Sequence, residues 1–296
     1  MGSREEFAER LTSLRESRAR LPELVRNRFI SRHRRSVSGH SGRLLLVDVA
    51  GPATGVVGTQ ADPRSLHDRA ELLWRLVLAL RVPGVDGVIA TADVLEDLLL
   101  LEVLDDRLAI GSVTPGGPTP PANALSTSLT GYDPETIGVI RLDGGRVGMS
   151  IDPSDPASVA RLEECARAVT DLASRSVMVV LEPSWSGTPA KGSAAGSAVA
   201  SQARAVGIAS AIGGRSSYSW LALGASADFS ELAAATTLPV LVRAGEPSDK
   251  GDVELWESNL ATPGVRGMVV PSALLFAPED DSTGMLGVAA RLVHGS

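Results

Sequence analysis

The sequence predicts an α/β fold, a (β/α)8 TIM barrel with an N-terminal helical extension, on two observations. Eight short β-rich runs alternate with amphipathic helical patterns, the order that a parallel sheet with crossover helices requires. The 296 residues, 44% hydrophobic and 21% charged, suit one large core of the size usual for such a barrel. A doubly wound open sheet is the competitor, but no Gly-x-Gly-x-x-Gly follows the first strand.

Residues 3 to 30 place Phe7, Leu11, Leu14, Leu21, Leu24 and Val25 among many charges, an amphipathic helical pattern broken around Pro22. The helical extension is assigned to residues 1–40 and the barrel to 41–296. Arg32, His33, Arg34 and Arg35 form a short basic cluster that reads as a solvated connector rather than a site for phosphate or an acidic partner.

The expected strands run from Leu44 to Ala50, Gly87 to Ala92, Leu108 to Val113, Val147 to Ile151, Val177 to Leu181, Tyr218 to Leu223, Val240 to Ala244 and Gly267 to Val270. Apolar spacing sets the helices at Leu66 to Leu80, Val94 to Leu104, Pro156 to Ala173, Ser197 to Val206, Phe229 to Ala235, Asp252 to Leu260 and Met285 to Val293. Pro115 to Asp133, dense in Gly, Pro, Ser and Thr, reads as a long loop before a short helix after Pro134. Pro183 to Ala195 reads as a second one. Both follow strands, where barrel active sites are built, so each is a candidate lid or a tolerated insertion.

The net charge of −7 argues against a broad nucleic-acid surface and favours a small-molecule partner. No run reaches the roughly 18 apolar residues that a membrane span needs, and the charged N-terminus does not fit a secretory peptide, so a cytoplasmic location is expected. Cys165 has no second cysteine to pair with, and it sits on a helix face with Leu162, Ala166 and Val169, as a packed structural thiol. His33, His40, His67 and His294 lack metal-ligand spacing, so neither metal nor cofactor is expected. No Gly-x-Ser-x-Gly elbow supports a serine hydrolase.

Several segments resemble one known family. They include Pro83-Gly84-Val85-Asp86-Gly87-Val88, Leu95-Glu96-Asp97-Leu98-Leu99-Leu100, Leu142-Asp143-Gly144-Gly145, Ala235-Thr236-Thr237-Leu238-Pro239 and Pro263-Gly264-Val265-Arg266-Gly267. With Ser217 to Gly245 they are similar to the class I aldolase-like (β/α)8 proteins, in the branch related to deoxyribose-phosphate aldolase and associated with inositol catabolism. The likeness spans roughly residues 40 to 294. In that family the sixth strand carries a lysine that forms a Schiff base with the substrate carbonyl; here the matching position is Ala222, whose methyl cannot.

Other positions depart from the family as well. Ala50-Gly51-Pro52 stands where relatives resemble Asp-His-Pro, although Asp48, two residues earlier, could point to the same face; its direction is open between the barrel interior and the helix-facing layer. Relatives carry basic residues where this chain has Arg146 and Ser150. Pro271-Ser272 replaces a Gly-Arg step that helps hold phosphate, and proline removes a backbone donor. Amine, proton shuttle and phosphate cradle change together, which reads as natural divergence rather than one engineered substitution.

The chemistry left at the expected mouth is carboxylate chemistry. Asp152 after strand four and Glu182 at the end of strand five are the candidate proton-transfer pair, with Asp48 a third candidate. A structural role is open to each: Asp152 can cap a helix through Pro153-Ser154 and Glu182 can anchor a loop. Arg243 could take a carboxylate or phosphate or pair with Glu246, and Trp185 is the aromatic candidate for ligand contact. Ser150 and Ser272 complete the substrate-binding set, and Trp220 reads as packing between strand six and its helices. Lys191 and Lys250 are the only lysines; Lys191 is a candidate for a relocated amine, but its Gly- and Ser-rich surroundings read first as an exposed loop lysine, and Lys250 is judged the same way.

The resemblance and its departures imply an aldolase-derived barrel without the Schiff-base lysine, turned to lyase or isomerase-type acid/base chemistry on a small carbonyl or sugar-like metabolite. Two alternatives stand beside it: a non-catalytic barrel that binds a ligand or a paralogous subunit, and an aldolase using an amine such as Lys191. A homo-oligomer is compatible with each.

Overall fold

The computed structural model describes residues 3–37, 41–55, 58, 62, 64–114, 131–187, 198–245, 250–276 and 282–295. Its strands are β1 (Leu44–Asp48), β2 (Gly87–Ala90), β3 (Leu108–Ser112), β4 (Gly144–Ile151), β5 (Met178–Trp185), β6 (Ser219–Gly224), β7 (Val240–Arg243) and β8 (Val265–Pro271). They pair in sequence order, all parallel, and β8 returns to β1 to close the barrel.

Two helices, α1 (Arg4–Arg20) and α2 (Pro22–Ser31), precede the barrel, and Pro22 opens the second of them. One helix then follows each strand in turn: α3 (Arg69–Ala79), α4 (Ala92–Leu100), α5 (Pro134–Val139), α6 (Ala157–Ser174), α7 (Ala198–Ala211), α8 (Phe229–Ala234), α9 (Lys250–Leu260) and α10 (Ser282–His294). Local chemistry sets several of their starts. Asp68 accepts the Ala70 and Glu71 N–H groups at the head of α3, and Asp133 accepts Thr136 N–H beside Pro134 at the head of α5.

Strand periodicity divides the core in two. Leu44, Leu46, Ile89, Leu108, Ile110, Met178, Val180, Ala222, Leu241 and Val269 form the barrel interior. Their chain neighbours, such as Leu45, Val47, Val88, Ala109, Val179, Leu221 and Val270, point the other way and pack with the helices. Trp220 shares the parity of Ala222 and packs against the interior cluster, so it is a barrel-filling residue and not the strand-to-helix contact expected of it. Cys165 is buried on α6, and burial pushes its thiol up to about 11.

The basic cluster behind α2 is not a solvated connector. It crosses the face of the barrel where the strands begin and pairs with two aspartates that immediately precede β2 and β4. Asp143 accepts Arg32 Nη2 at 2.7 Å and Arg34 Nε at 2.8 Å while also capping Ala109 N–H. Asp86 pairs with Arg35 and accepts Leu45 N–H at 2.7 Å, and His294 Nε2 lies 3.2 Å away. Val37, at the end of this strap, packs against the interior cluster and closes the base. Short-range charge patterning misread it because its partners are 51 to 111 residues away in sequence.

The extension is held on from outside too. Phe7, Leu11 and Leu14 join the outer core, and Arg18 reaches Glu96 at 2.7 Å and Asp97 at 2.8 Å on α4. Among the described residues no helix is long and apolar enough to cross a membrane.

Arg32 and Asp143 have side chains 0% and 1% exposed. Removing one member of such a pair strands the other charge in the interior, so Asp143→Ala should cost about 3–5 kcal/mol. Urea unfolding of the variant beside wild type checks this; a loss under about 1 kcal/mol, the ceiling for surface pairs, would show the strap to be loosely held.

Candidate active site at the barrel mouth

At the C-terminal ends of the strands the interior changes from hydrocarbon to charge. The inward parity that places Leu44 and Leu46 inside β1 brings Asp48 to its last position, and the same rule turns Arg146, Glu182 and Arg243 inward on β4, β5 and β7. Gly144 and Gly148 occupy the inward positions either side of Arg146. Two missing side chains leave room there for one long guanidinium.

Arg243 Nη1 sits 2.8 Å from Asp48 Oδ2 and 2.8 Å from Glu182 Oε1, joining both carboxylates through a single nitrogen. Beneath it, Arg146 Nη1 lies 3.5 Å from Glu182 Oε2 and Arg146 Nη2 lies 3.8 Å from Asp48 Oδ1. These are ion-pair distances without hydrogen-bond geometry. All three Arg146 side-chain nitrogens, and Glu182 Oε2, have no hydrogen-bond partner. Arg146 and Glu182 are 0% exposed, whereas Arg243 keeps 20% of its side chain accessible.

Burial alone would push the Asp48 carboxyl up. The guanidiniums of Arg146 and Arg243, and the Ala50 N–H that Asp48 Oδ1 accepts at 2.9 Å, outweigh burial and hold it below its ordinary value. Arg243 is the mirror case: burial opposes its charge, and Glu182 and Asp48 more than restore it, so it is raised. The cluster therefore carries fixed charges of both signs.

Above it opens a cavity of about 390 Å³, lined among others by Ser184, Gln202, Ala222, Ser226, Asp228 and Arg243. Gln202 on α7 fixes the wall, since its amide donates to Pro183 O at 2.8 Å and accepts Trp185 N–H at 3.1 Å. The Ser226 hydroxyl lacks a partner.

Asp48, Glu182 and Arg243 thus converge, and the other sequence candidates stand apart from them. Asp152 is engaged in a turn after β4, where Oδ1 accepts the N–H and hydroxyl of Ser154 at 2.8 and 2.7 Å. That local capping geometry takes it out of the cluster. Ser150 Oγ pairs with Ser186 Oγ at 2.9 Å. Trp185 has the outward parity of β5, packs on the outer core, and does not line the cavity. Ser272 is half-buried at the start of a 3-10 turn after β8. Lys191, Glu246 and most of the two candidate lids lie outside the described residues. Sequence reading left Arg146 out of the site because it began strand four at Val147; the signal that could have found it is the inward triplet Gly144, Arg146, Gly148. Among the described residues no group of three or more His, Cys, Asp or Glu could hold a metal ion.

A carboxylate whose folded pKa is depressed stabilises the fold in full above its unfolded value of about 3.9, and the contribution is lost as pH falls through the folded value. Asp48→Asn should therefore be less stable than wild type at neutral pH by about 3–5 kcal/mol and lose less on acidification below about pH 4. Unfolding measured across this range reads both; parallel acid limbs in the two proteins would show that Asp48 ionisation is not linked to folding.

Comparison with known proteins agrees with this architecture. The Cgl0159-like family model matches residues 42–290. A crystal structure of Cgl0159 from Corynebacterium glutamicum is 32% identical, with a TM-score of 0.87 over 97% of each chain. An archaeal fructose-1,6-bisphosphate aldolase, solved with its catalytic lysine bound to a carbinolamine intermediate, is 18% identical with a TM-score of 0.63, over 92% of this chain and 100% of that one. A fructose-bisphosphate aldolase from Slackia heliotrinireducens is 13% identical with a TM-score of 0.63, over 92% and 86%. No curated protein matches. The aldolases share the barrel fold with this chain, and the chain itself belongs to the Cgl0159-like family.

Proposed function

We propose that this protein is a divergent class I aldolase-like barrel, of the branch related to deoxyribose-phosphate aldolase and associated with inositol catabolism, in which Ala222 stands at the Schiff-base position. Its mouth performs acid/base chemistry of the lyase or isomerase type on a small carbonyl or sugar-like metabolite. The observation that carries this reading is the single Arg243 nitrogen bridging Asp48 and Glu182 beside the Ala222 cavity.

Physical cost supports it. A buried cluster of two guanidiniums and two carboxylates is at best neutral against well-packed hydrocarbon, and the layers below it are hydrocarbon. Charges that face a cavity, where stability does not call for them, support a functional role. Glu182 is the proton acceptor in this reading through Oε1, the oxygen that Arg243 holds on the cavity side, while Asp48 stays ionised and keeps a hold on Arg243 as it shifts. Arg243 lies between Glu182 and the cavity. Its movement toward a bound carbonyl oxygen would uncover the carboxylate and set positive charge where an enolate develops.

The same charge balance favours a second reading, a non-catalytic barrel binding a ligand or a paralogous subunit, since each carboxylate already has a guanidinium partner. Exchange of substrate carbon-bound hydrogen in deuterated water, followed by NMR over a panel of small ketoses and aldoses, separates the two. The catalytic reading expects exchange that falls at least about 100-fold in Glu182→Gln; absence of exchange by wild type across the panel favours the binding reading.

Borohydride trapping with the same carbonyl compounds addresses the amine. Wild type is expected to form no adduct, and Ala222→Lys, which puts an amine against the cavity, is expected to gain one. An adduct on Lys191 in wild type would instead establish the relocated-amine aldolase.

A further inference from the structure

A second cleft, of about 620 Å³, opens at the C-terminal ends of β2 and β3 and shares no lining residue with the Ala222 cavity. Its size falls within the roughly 300–1,000 Å³ of small-molecule sites. Its wall includes Arg69 at the head of α3, Thr91, Asp93 and Glu96 at the head of α4, and Tyr132 and Asp133 before α5.

Tyr132 is held firmly. Its N–H donates to Ser112 O at 2.9 Å, the preceding Gly131 N–H donates to Val113 O at 3.0 Å, and the ring lies over Gly111, where a Cβ would come within 2.6 Å of it. The residue is 7% exposed, yet its hydroxyl has no partner. That hydroxyl feels the charges of Glu96 and Asp93, both on the wall of the cleft. Arg69, which pairs with Asp93 through Nη2, leaves Nη1 buried and unpartnered. Two buried donors without acceptors on the residues of one cleft are costly, because each has given up water for nothing.

The charge of the wall narrows what could answer them. Of the lining carboxylates, Asp93 pairs with Arg69 and Glu96 with Arg18, which leaves Asp133 to set the net negative charge. Asp133, capping α5 through the Thr136 N–H and hydroxyl, is held below its ordinary value and stays ionised. A phosphate or carboxylate would meet net negative potential, whereas a neutral ligand can accept from the two idle donors and donate to the carboxylates.

We propose that this cleft is a second ligand site for a neutral, hydroxyl-rich small molecule, an unphosphorylated sugar or polyol, whose oxygens supply the partners that Tyr132 Oη and Arg69 Nη1 lack. The proposal stands independently of the chemistry assigned to the Ala222 cavity.

Saturation-transfer NMR and titration with D-glucose and xylitol as neutral probes, and glucose 6-phosphate as the anionic counterpart, test it on wild type and on Tyr132→Phe. The neutral probes should bind wild type, and the phosphate ester more weakly. Tyr132→Phe should keep or slightly raise Tm, because it deletes an unpartnered buried hydroxyl, and should weaken the neutral probes about tenfold. Failure of both neutral probes to bind, tighter binding of the phosphate ester, or unchanged affinity in Tyr132→Phe would overturn the proposal. A lowered Tm in that variant would do so as well, since the hydroxyl would then be structural.

Discussion

Once β8 pairs with β1, every second side chain of every strand is committed to an interior with no solvent at its sides, so charge can enter only at the two ends. The middle follows that constraint with Leu46, Ile110, Val180 and Leu241. At the base, where the strands begin, Asp86 and Asp143 cap backbone N–H groups and are neutralised by arginines brought in from outside the barrel. At the mouth the charges come from the strands themselves. The two ends thus use the same residue types for different work: one is sealed by an added strap, and the other is left facing a cavity.

The mouth cluster is organised around unequal geometry. Arg243 makes two short hydrogen bonds with one nitrogen, while Arg146 sits slightly too far from both carboxylates to hydrogen-bond either. Arg146 therefore acts as a background charge, in an interior where such a charge is weakly screened. Arg243 is the member with both a tight hold and solvent access, so any ligand entering from the Ala222 side meets it first.

The fold was legible because both of its periods are written in the chain: period two in the strands and helical spacing between them, with element ends displaced by a few residues. Asp48, Glu182 and Arg243 could be placed near one another because each falls at or near a strand's C-terminal end. Arg146 could not, since the expected strand four begins at Val147, whereas the register Ile110 with Gly144 shows that the strand already includes Gly144. Asp152 is the case that sequence left open between catalysis and capping. A carboxylate after a strand looks catalytic from spacing, but Pro153-Ser154 supplies a local turn that captures it first. The strap was illegible because its partners are contributed by β-strand approaches far along the chain, a relation that no local window contains.

Gly267 marks where the barrel is sewn shut. Its φ of +135° places it in a conformation that favours glycine, and a Cβ there would lie 1.9 Å from Leu44 O across the β1 and β8 seam. The ladder between the first and last strands begins at this residue and runs to Asp48 and Pro271, and it is the most distant pairing in sequence of the eight. Loop-closure entropy makes such a contact slow to form. A side chain at Gly267 would therefore be felt first as a failure to close the barrel, at the seam where the two ends of the sheet meet.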